Sequence, residues 1–200
     1  DLRINLSDNP KCEALVEASR EALEKALEIL SFNVKLKVIG EVVEKTIKSY
    51  GFKPIKNLSG HSLERYDLHA GLSIPNYSGI LITNSIKREG AYAIEPFATD
   101  GAGWVVEGVE AYIYSIYKEK RAKTSLERKI IDTIYRDCRR LPFSERWVSH
   151  LADVKELRET LNRMVKNKAL VRYPILIDAQ QGLVSQHEHT VVILRNEVIV

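Results

Sequence analysis

The stretch Asn57–Gly71, NLSGHSLERYDLHAG, constrains this chain more than any other. His61 and His69 stand eight positions apart, an even spacing that in an extended segment turns both imidazoles to one side. Gly60 before the first and Gly71 after the second permit backbone angles and close approaches that a side chain would resist. Two later fragments place chemistry in a similar apolar setting. Ala91–Gly103, AYAIEPFATDGAG, carries Glu95, and Ser185–Leu194, SQHEHTVVIL, holds Glu188 between His187 and His189.

Taken one at a time, these residues read as surface groups or satisfied buried polar groups. Together, His61, Glu95 and Glu188 make a carboxylate-rich donor set with a single imidazole, each expected in a strand. Such a set suits Mn, Fe or Co better than a structural zinc.

A chain of 200 residues with 44% hydrophobic content can bury a proper core, as one domain or one and a half. A net charge of +3 permits nucleic-acid contact without arguing for it. Cys12 and Cys138 have no metal-ligand spacing and read as free thiols of a reducing cytosol, so a cytoplasmic location is expected. No apolar run approaches the ~20 residues needed to cross a bilayer, and no secretory leader is visible, so no membrane partner is expected. Because the first residue is Asp1, the chain is expected to be processed or cut from something longer.

In chain order, Asp1–Leu6 alternates as a strand, and Asn9-Pro10 opens a helix over Lys11–Leu30. A second helix over Leu36–Tyr50 stops at Gly51. Strands are expected at Leu72–Pro75, Ile80–Ile82, Tyr92–Phe97 and Trp104–Tyr117, then at Leu170–Ile177 and His189–Val200. Between the last two groups, 123–169 reads as a helical module in a winged-helix-like order: a Thr124/Glu127 capping box, a break at Pro142, and a helix capped by Asp153. Its basic residues alternate with acidic ones and no helix has a dominant basic face. It therefore reads as a solvated structural insert rather than a nucleic-acid reader.

These motifs, NLSGHSLERYDLHAG, AIEPFATDGAG and LVSQHEHT in this order, resemble the type 2 methionine aminopeptidases, particularly the archaeal ones. The resemblance covers essentially the whole chain, and the helical module resembles the insertion that separates type 2 from type 1 enzymes. It implies an α/β (α+β) pita-bread fold, a curved antiparallel sheet backed by helices. Residues 1–122 and 170–200 would then form the catalytic domain and 123–169 the insert. It further implies a cytoplasmic hydrolase that removes the initiator methionine from nascent proteins whose N-termini begin with Met, using two divalent metal ions (Co, Mn, Fe or Zn). By motif, His61, Glu95 and Glu188 resemble metal ligands, and Glu95 the proton shuttle. His69 resembles the histidine that contacts substrate and aids catalysis, while Leu68, Tyr173 and Leu176 fall where the family lines its methionine pocket.

There are two departures from the family pattern. His187 stands where the family has phenylalanine, and strand alternation turns it away from Glu188, toward a packing or surface role. The family's two aspartate ligands, eleven positions apart, belong to an N-terminal half. Asp1 and Asp8 are seven apart and neither is read as a replacement. The chain is therefore expected to be inactive until that half is supplied, on another chain or as a preceding segment. The competing reading is a non-catalytic aminopeptidase-like protein that binds RNA or protein. Retention of His61, His69, Glu95 and Glu188 favours the enzyme, and the wording of the histidine motif disfavours a sister peptidase acting on Xaa-Pro peptides. Whether the insert touches the ribosome stays open.

Overall fold

A computed structural model describes residues 9–200, so the strand expected over Asp1–Leu6 lies outside the described residues. The main elements follow in the order α1 (Pro10–Glu28), α2 (Leu36–Ser49), β1 (Lys53–Pro54), β2 (Ser59–Leu63), β3 (Ser73–Pro75), β4 (Gly90–Ile94), β5 (Phe97–Thr99), β6 (Val105–Ile116), α3 (Ser125–Cys138), β7 (Phe143–Ser144), α4 (Val154–Lys166), β8 (Leu170–Asp178), β9 (Val184–Gln186), β10 (His189–Ile193) and β11 (Val198–Ile199). They fall into two compact units. The first comprises residues through Glu64, Leu68–Val106 and Ile177–Val200; the second comprises Arg65–Asp67 and Glu107–Leu176.

In the first unit, α1 starts where Asn9 Oδ1 accepts the Lys11 N–H at 3.0 Å and Pro10 takes the first helical position. Leu15, Ala18, Ala22 and Ala26 form its buried stripe. Helix α2 buries Leu36, Ile39, Val43 and Ile47 and ends at Gly51, whose φ of 82° suits a residue without Cβ. Both stripes close on Ile74, Tyr92, Ile94, Val191 and Ile193 of the sheet. Full burial of Ile39 or Ile47 contributes about 1.5–3 kcal/mol each over exposure.

The sheet beneath them has the order β11-β10-β4-β2-β3, and a second has the order β1-β5-β9. Every pairing within both is antiparallel. This is the pita-bread arrangement of an antiparallel sheet backed by helices.

Three expected strands are corrected. Ile80–Ile82 is a turn, in which the Ile82 N–H donates to Gly79 O at 3.2 Å while Ile80 and Leu81 stand 92% and 94% exposed. Tyr92–Phe97 is interrupted after Ile94, because Pro96 has no N–H to give a ladder. His189–Val200 folds back as the β10/β11 hairpin, closed by Leu194 N–H to Glu197 O at 2.8 Å.

The second unit contains all of 123–169 together with most of β6 and β8. Its sheet has the order β7-β6-β8. The expected capping box is present: Thr124 Oγ1 accepts the Glu127 N–H at 3.2 Å, and Glu127 Oε2 accepts the Thr124 N–H at 3.2 Å. Asp153 caps α4 by accepting from the N–H groups of Lys155 and Glu156. Two 3-10 segments complete the unit, Glu119–Arg121 in the basic connector Lys118–Lys123 and Glu145–Leu151 after β7. Ile130, Ile134, Phe143, Leu161 and Met164 make the unit's own core.

Candidate metal centre

His61 is held on β2 directly opposite Ala93 of β4. The strands close in there because residue 60 is glycine; a Cβ at Gly60 would stand 2.3 Å from Ala93 O. The imidazole is buried, with Nε2 2.9 Å from Glu95 Oε1 and Nδ1 3.4 Å from Ser62 O.

Glu95 and Glu188 lie in gaps between strands rather than within them, which corrects the strand expectation. Glu95-Pro96 joins β4 to β5, and His187-Glu188 joins β9 to β10. The register is the same on both sides of these gaps, Ile94 with His189 on one and Phe97 with Gln186 on the other. Glu95 therefore stands opposite Glu188, and Pro96 opposite His187, whose N–H donates to Pro96 O at 3.3 Å. Gln186 Nε2 lies 3.5 Å from Glu95 Oε2 and 3.4 Å from Glu188 Oε2. The sequence reading missed Gln186. Its signal was the two-residue spacing from Glu188, which shares a face in an extended stretch.

His69 reaches the same place by a different route from the one expected. The segment is not extended to residue 69. Strand β2 ends at Leu63 and the chain doubles back, with Ser62 N–H donating to Leu72 O and Ala70 N–H to Ser62 O, each at 2.9 Å. Gly71 takes a φ of 97° on the return. The His69 ring ends 4.4 Å from that of His61, centroid to centroid.

The electrostatics follow from this crowding. Burial, reinforced by the charge of Glu188, pushes the Glu95 carboxyl up to about 7. Burial and the neighbouring His69 hold His61 below its ordinary value. Two facing carboxylates and a buried imidazole fit a divalent cation chemically, since the cation would relieve the like-charge repulsion. Among the described residues, however, no three His, Cys, Asp or Glu side chains close around one point. The donor set is right in kind and open in geometry.

A sequence comparison decides the family, because the profile of metallopeptidase family M24 matches residues 3–193. The chain belongs to metallopeptidase family M24. Among curated relatives, the M24 chain is 44% identical over 204 residues to a methionine aminopeptidase of Saccharolobus solfataricus, covering 100% of this chain and 67% of the relative. It is 40% identical over 186 residues to that of Pyrococcus abyssi, covering 93% and 63%. The chain thus spans about two thirds of the length of these relatives.

Among solved structures, a thermophilic Arx1 superposes with a TM-score of 0.72 at 16% identity, covering 98% of this chain and 60% of the other. A methionine aminopeptidase of Thermotoga maritima superposes with a TM-score of 0.56 at 18% identity, covering 95% and 51%. At those identities the likeness concerns the fold.

The remaining expected residues are placed as follows. Leu68 is exposed in the first unit. Tyr173 and Leu176 lie on β8 in the second, both exposed, with Tyr173 Oη 3.1 Å from Ser115 Oγ. His187 turns to α1, where its Nδ1 lies 2.9 Å from Ser19 Oγ, itself 2.8 Å from Ser185 Oγ. A concavity of about 330 Å3 bordered by Ser62, Arg88 and Tyr92 takes in none of His61, His69, Glu95 or Glu188. No helix among the described residues is long and apolar enough to cross a membrane.

Proposed function

We propose that this chain supplies His61, Glu95 and Glu188 to the metal centre of an aminopeptidase that removes the initiator methionine from nascent proteins in the cytoplasm. The observation that carries this reading is the convergence of His61 on Glu95 at 2.9 Å, with Glu188 opposite and the His69 ring tilted beside it. Bound divalent ions (Co, Mn, Fe or Zn) would supply Lewis-acid polarisation of the scissile carbonyl.

The chain's own residues do the rest. Glu95, beside His61, takes the proton of the attacking water and returns it to the leaving amine. His69 donates a hydrogen bond to the carbonyl oxygen as negative charge develops there. Leu68, adjacent to His69 and exposed, meets the apolar side chain of the substrate. The open donor set supports a need for further carboxylates, which an N-terminal half of the kind the resemblance implies would supply.

The test is hydrolysis of a Met-Gly peptide by this chain, alone and mixed with the separately expressed N-terminal segment of the Saccharolobus relative, with Mn or Co present. Turnover is expected in the mixture, and EDTA or His61→Ala should abolish it. Turnover by the chain alone would overturn the need for a second segment. Metal binding without turnover in the mixture would overturn the peptidase reading in favour of a non-catalytic protein of this family.

A further inference from the structure

We propose that the second unit carries a docking site for single-stranded nucleic acid, formed by Lys118, Arg121, Lys168 and Arg172 around the ring of Tyr117. These side chains border an open concavity of about 410 Å3 whose lining contains no carboxylate. Among the described residues none of the four cations is in an ion pair. The nearby acids are committed elsewhere, Glu119 to Arg140 at 3.5 Å and Glu127 to Arg163 at 2.8 Å.

The site is built on fixed backbone. The N–H groups of Tyr117 and Lys118 both donate to Ala169 O, at 2.9 and 3.1 Å. Arg121 Nη1 donates to Asn167 O at 3.0 Å, and Asn167 Nδ2 returns a bond to Arg121 O at 3.2 Å. The connector that carries Lys118 and Arg121 is thereby tied to the α4–β8 turn that carries Lys168. Charges displayed from an ordered backbone lose less freedom on binding than charges on a mobile tail.

The chemistry favours a phosphodiester chain. Separate cations around one concavity offer a contact to more than one phosphate of a strand, and phosphate neutralisation releases counterions. Tyr117 is 49% exposed and carries Lys118 Nζ over its ring, 5.1 Å from the centroid, so an aromatic surface and a positive charge are presented together. Bases stack on such platforms without sequence preference. An anionic bilayer would be drawn by the same charges, but a concave outline admits a strand better than a plane.

The test is fluorescence anisotropy of a labelled single strand of about 20 nucleotides, in RNA and DNA arms of one sequence, between about 50 and 200 mM KCl. Saturable binding is expected, weakening about 50-fold across that range if four phosphates are contacted at about 0.7 counterions each. Lys118→Ala/Arg172→Ala should halve the logarithmic salt slope. Arg128→Ala/Lys129→Ala on α3, an equal loss of charge, should leave it unchanged, with circular dichroism confirming the fold of both. Tyr117→Leu should weaken binding at constant slope. Tighter binding of RNA would assign contacts to the 2′-hydroxyl, and equal binding would assign them to the phosphates alone; either upholds the site. Three results would overturn it: no saturable binding at about 50 mM KCl, equal loss in the two double variants, or tighter Lys118- and Arg172-dependent binding to phosphatidylserine vesicles than to the strand.

Discussion

Glu95 and Glu188 face each other across two paired strands whose register is the same before and after the gap that holds them. Like charges directly opposite in a sheet destabilise it by about 0.2–1 kcal/mol, a repulsion that a bound cation would relieve. Glu188→Gln is therefore expected to raise the urea midpoint of the metal-free chain while weakening Mn binding measured by calorimetry. A variant that loses both stability and affinity would mean that Glu188 is held by contacts other than its facing carboxylate.

Gln186 supports the same pair from one side. Outer partners of metal ligands typically contribute 10–100-fold in affinity, so Gln186→Ala should weaken Mn binding by about tenfold and Glu188→Ala by more. Unchanged affinity in Gln186→Ala would remove it from the centre.

Gly60→Ala tests how closely β2 must approach β4. The added Cβ meets backbone, which cannot rotate away, so β2 must shift at a cost of about 1–3 kcal/mol. Because His61 is the next residue, Mn affinity should fall with stability. Loss of stability alone would show that His61 tolerates the shift.

Asp178 carries the sharpest stability prediction in the first unit. Its buried carboxylate accepts the N–H groups of Ala102 at 2.8 Å, Gln180 at 2.9 Å and Gly103 at 3.2 Å. Asp178→Ala leaves these donors without an acceptor and should cost about 3 kcal/mol in urea unfolding, with Asp178→Asn costing less. Equal losses would indicate that charge rather than acceptor number matters there.

Acid sensitivity should appear in both units. Burial alone would raise the carboxyls of Asp178 and Glu127. Backbone N–H bonds outweigh it at Asp178; at Glu127 the Lys123 and Thr124 N–H groups and the Arg163 guanidinium outweigh it, so both sit below their ordinary values. A depressed carboxyl contributes stability that is fully present above its unfolded value and lost as pH falls through its folded one. The chain has two tryptophans, Trp104 in the first unit and Trp147 in the second, so single-tryptophan variants report the units separately. Asp178→Asn should flatten the acid slope seen by Trp104, and Glu127→Gln that seen by Trp147. A slope unchanged by its own variant would refute the assignment for that unit.

Local chemistry made several elements legible in advance. Asn9-Pro10, Thr124 with Glu127, and Asp153 each bring a donor-satisfying side chain to a helix start, and all three caps are present. Gly51 and the two apolar helical stripes were equally readable. The apolar triplet Ile80–Ile82 misled because nothing in so short a run distinguishes a strand from an exposed turn. Pairing across ninety residues was invisible too. Nothing in the local pattern announces that β4 and β5 are matched to β10 and β9, so Glu95 and Glu188 were grouped as one donor set without the pairing that sets them opposite each other. His61 and His69 do meet, yet through a reversal of the chain and not the even spacing that suggested it. The cationic concavity is not legible in the sequence, because its residues come from a connector, a turn and the start of a strand and share no helix face.

The shared register has a consequence for how this chain can change. Deleting or inserting one residue between β4 and β5 would turn Glu95 to the other face or slide every pair beyond it, unless the crossing between β9 and β10 changed by the same amount. The lengths of these two crossings are therefore coupled. Indels that pass unnoticed in the Ile80–Ile82 turn would be tolerated here only as matched pairs.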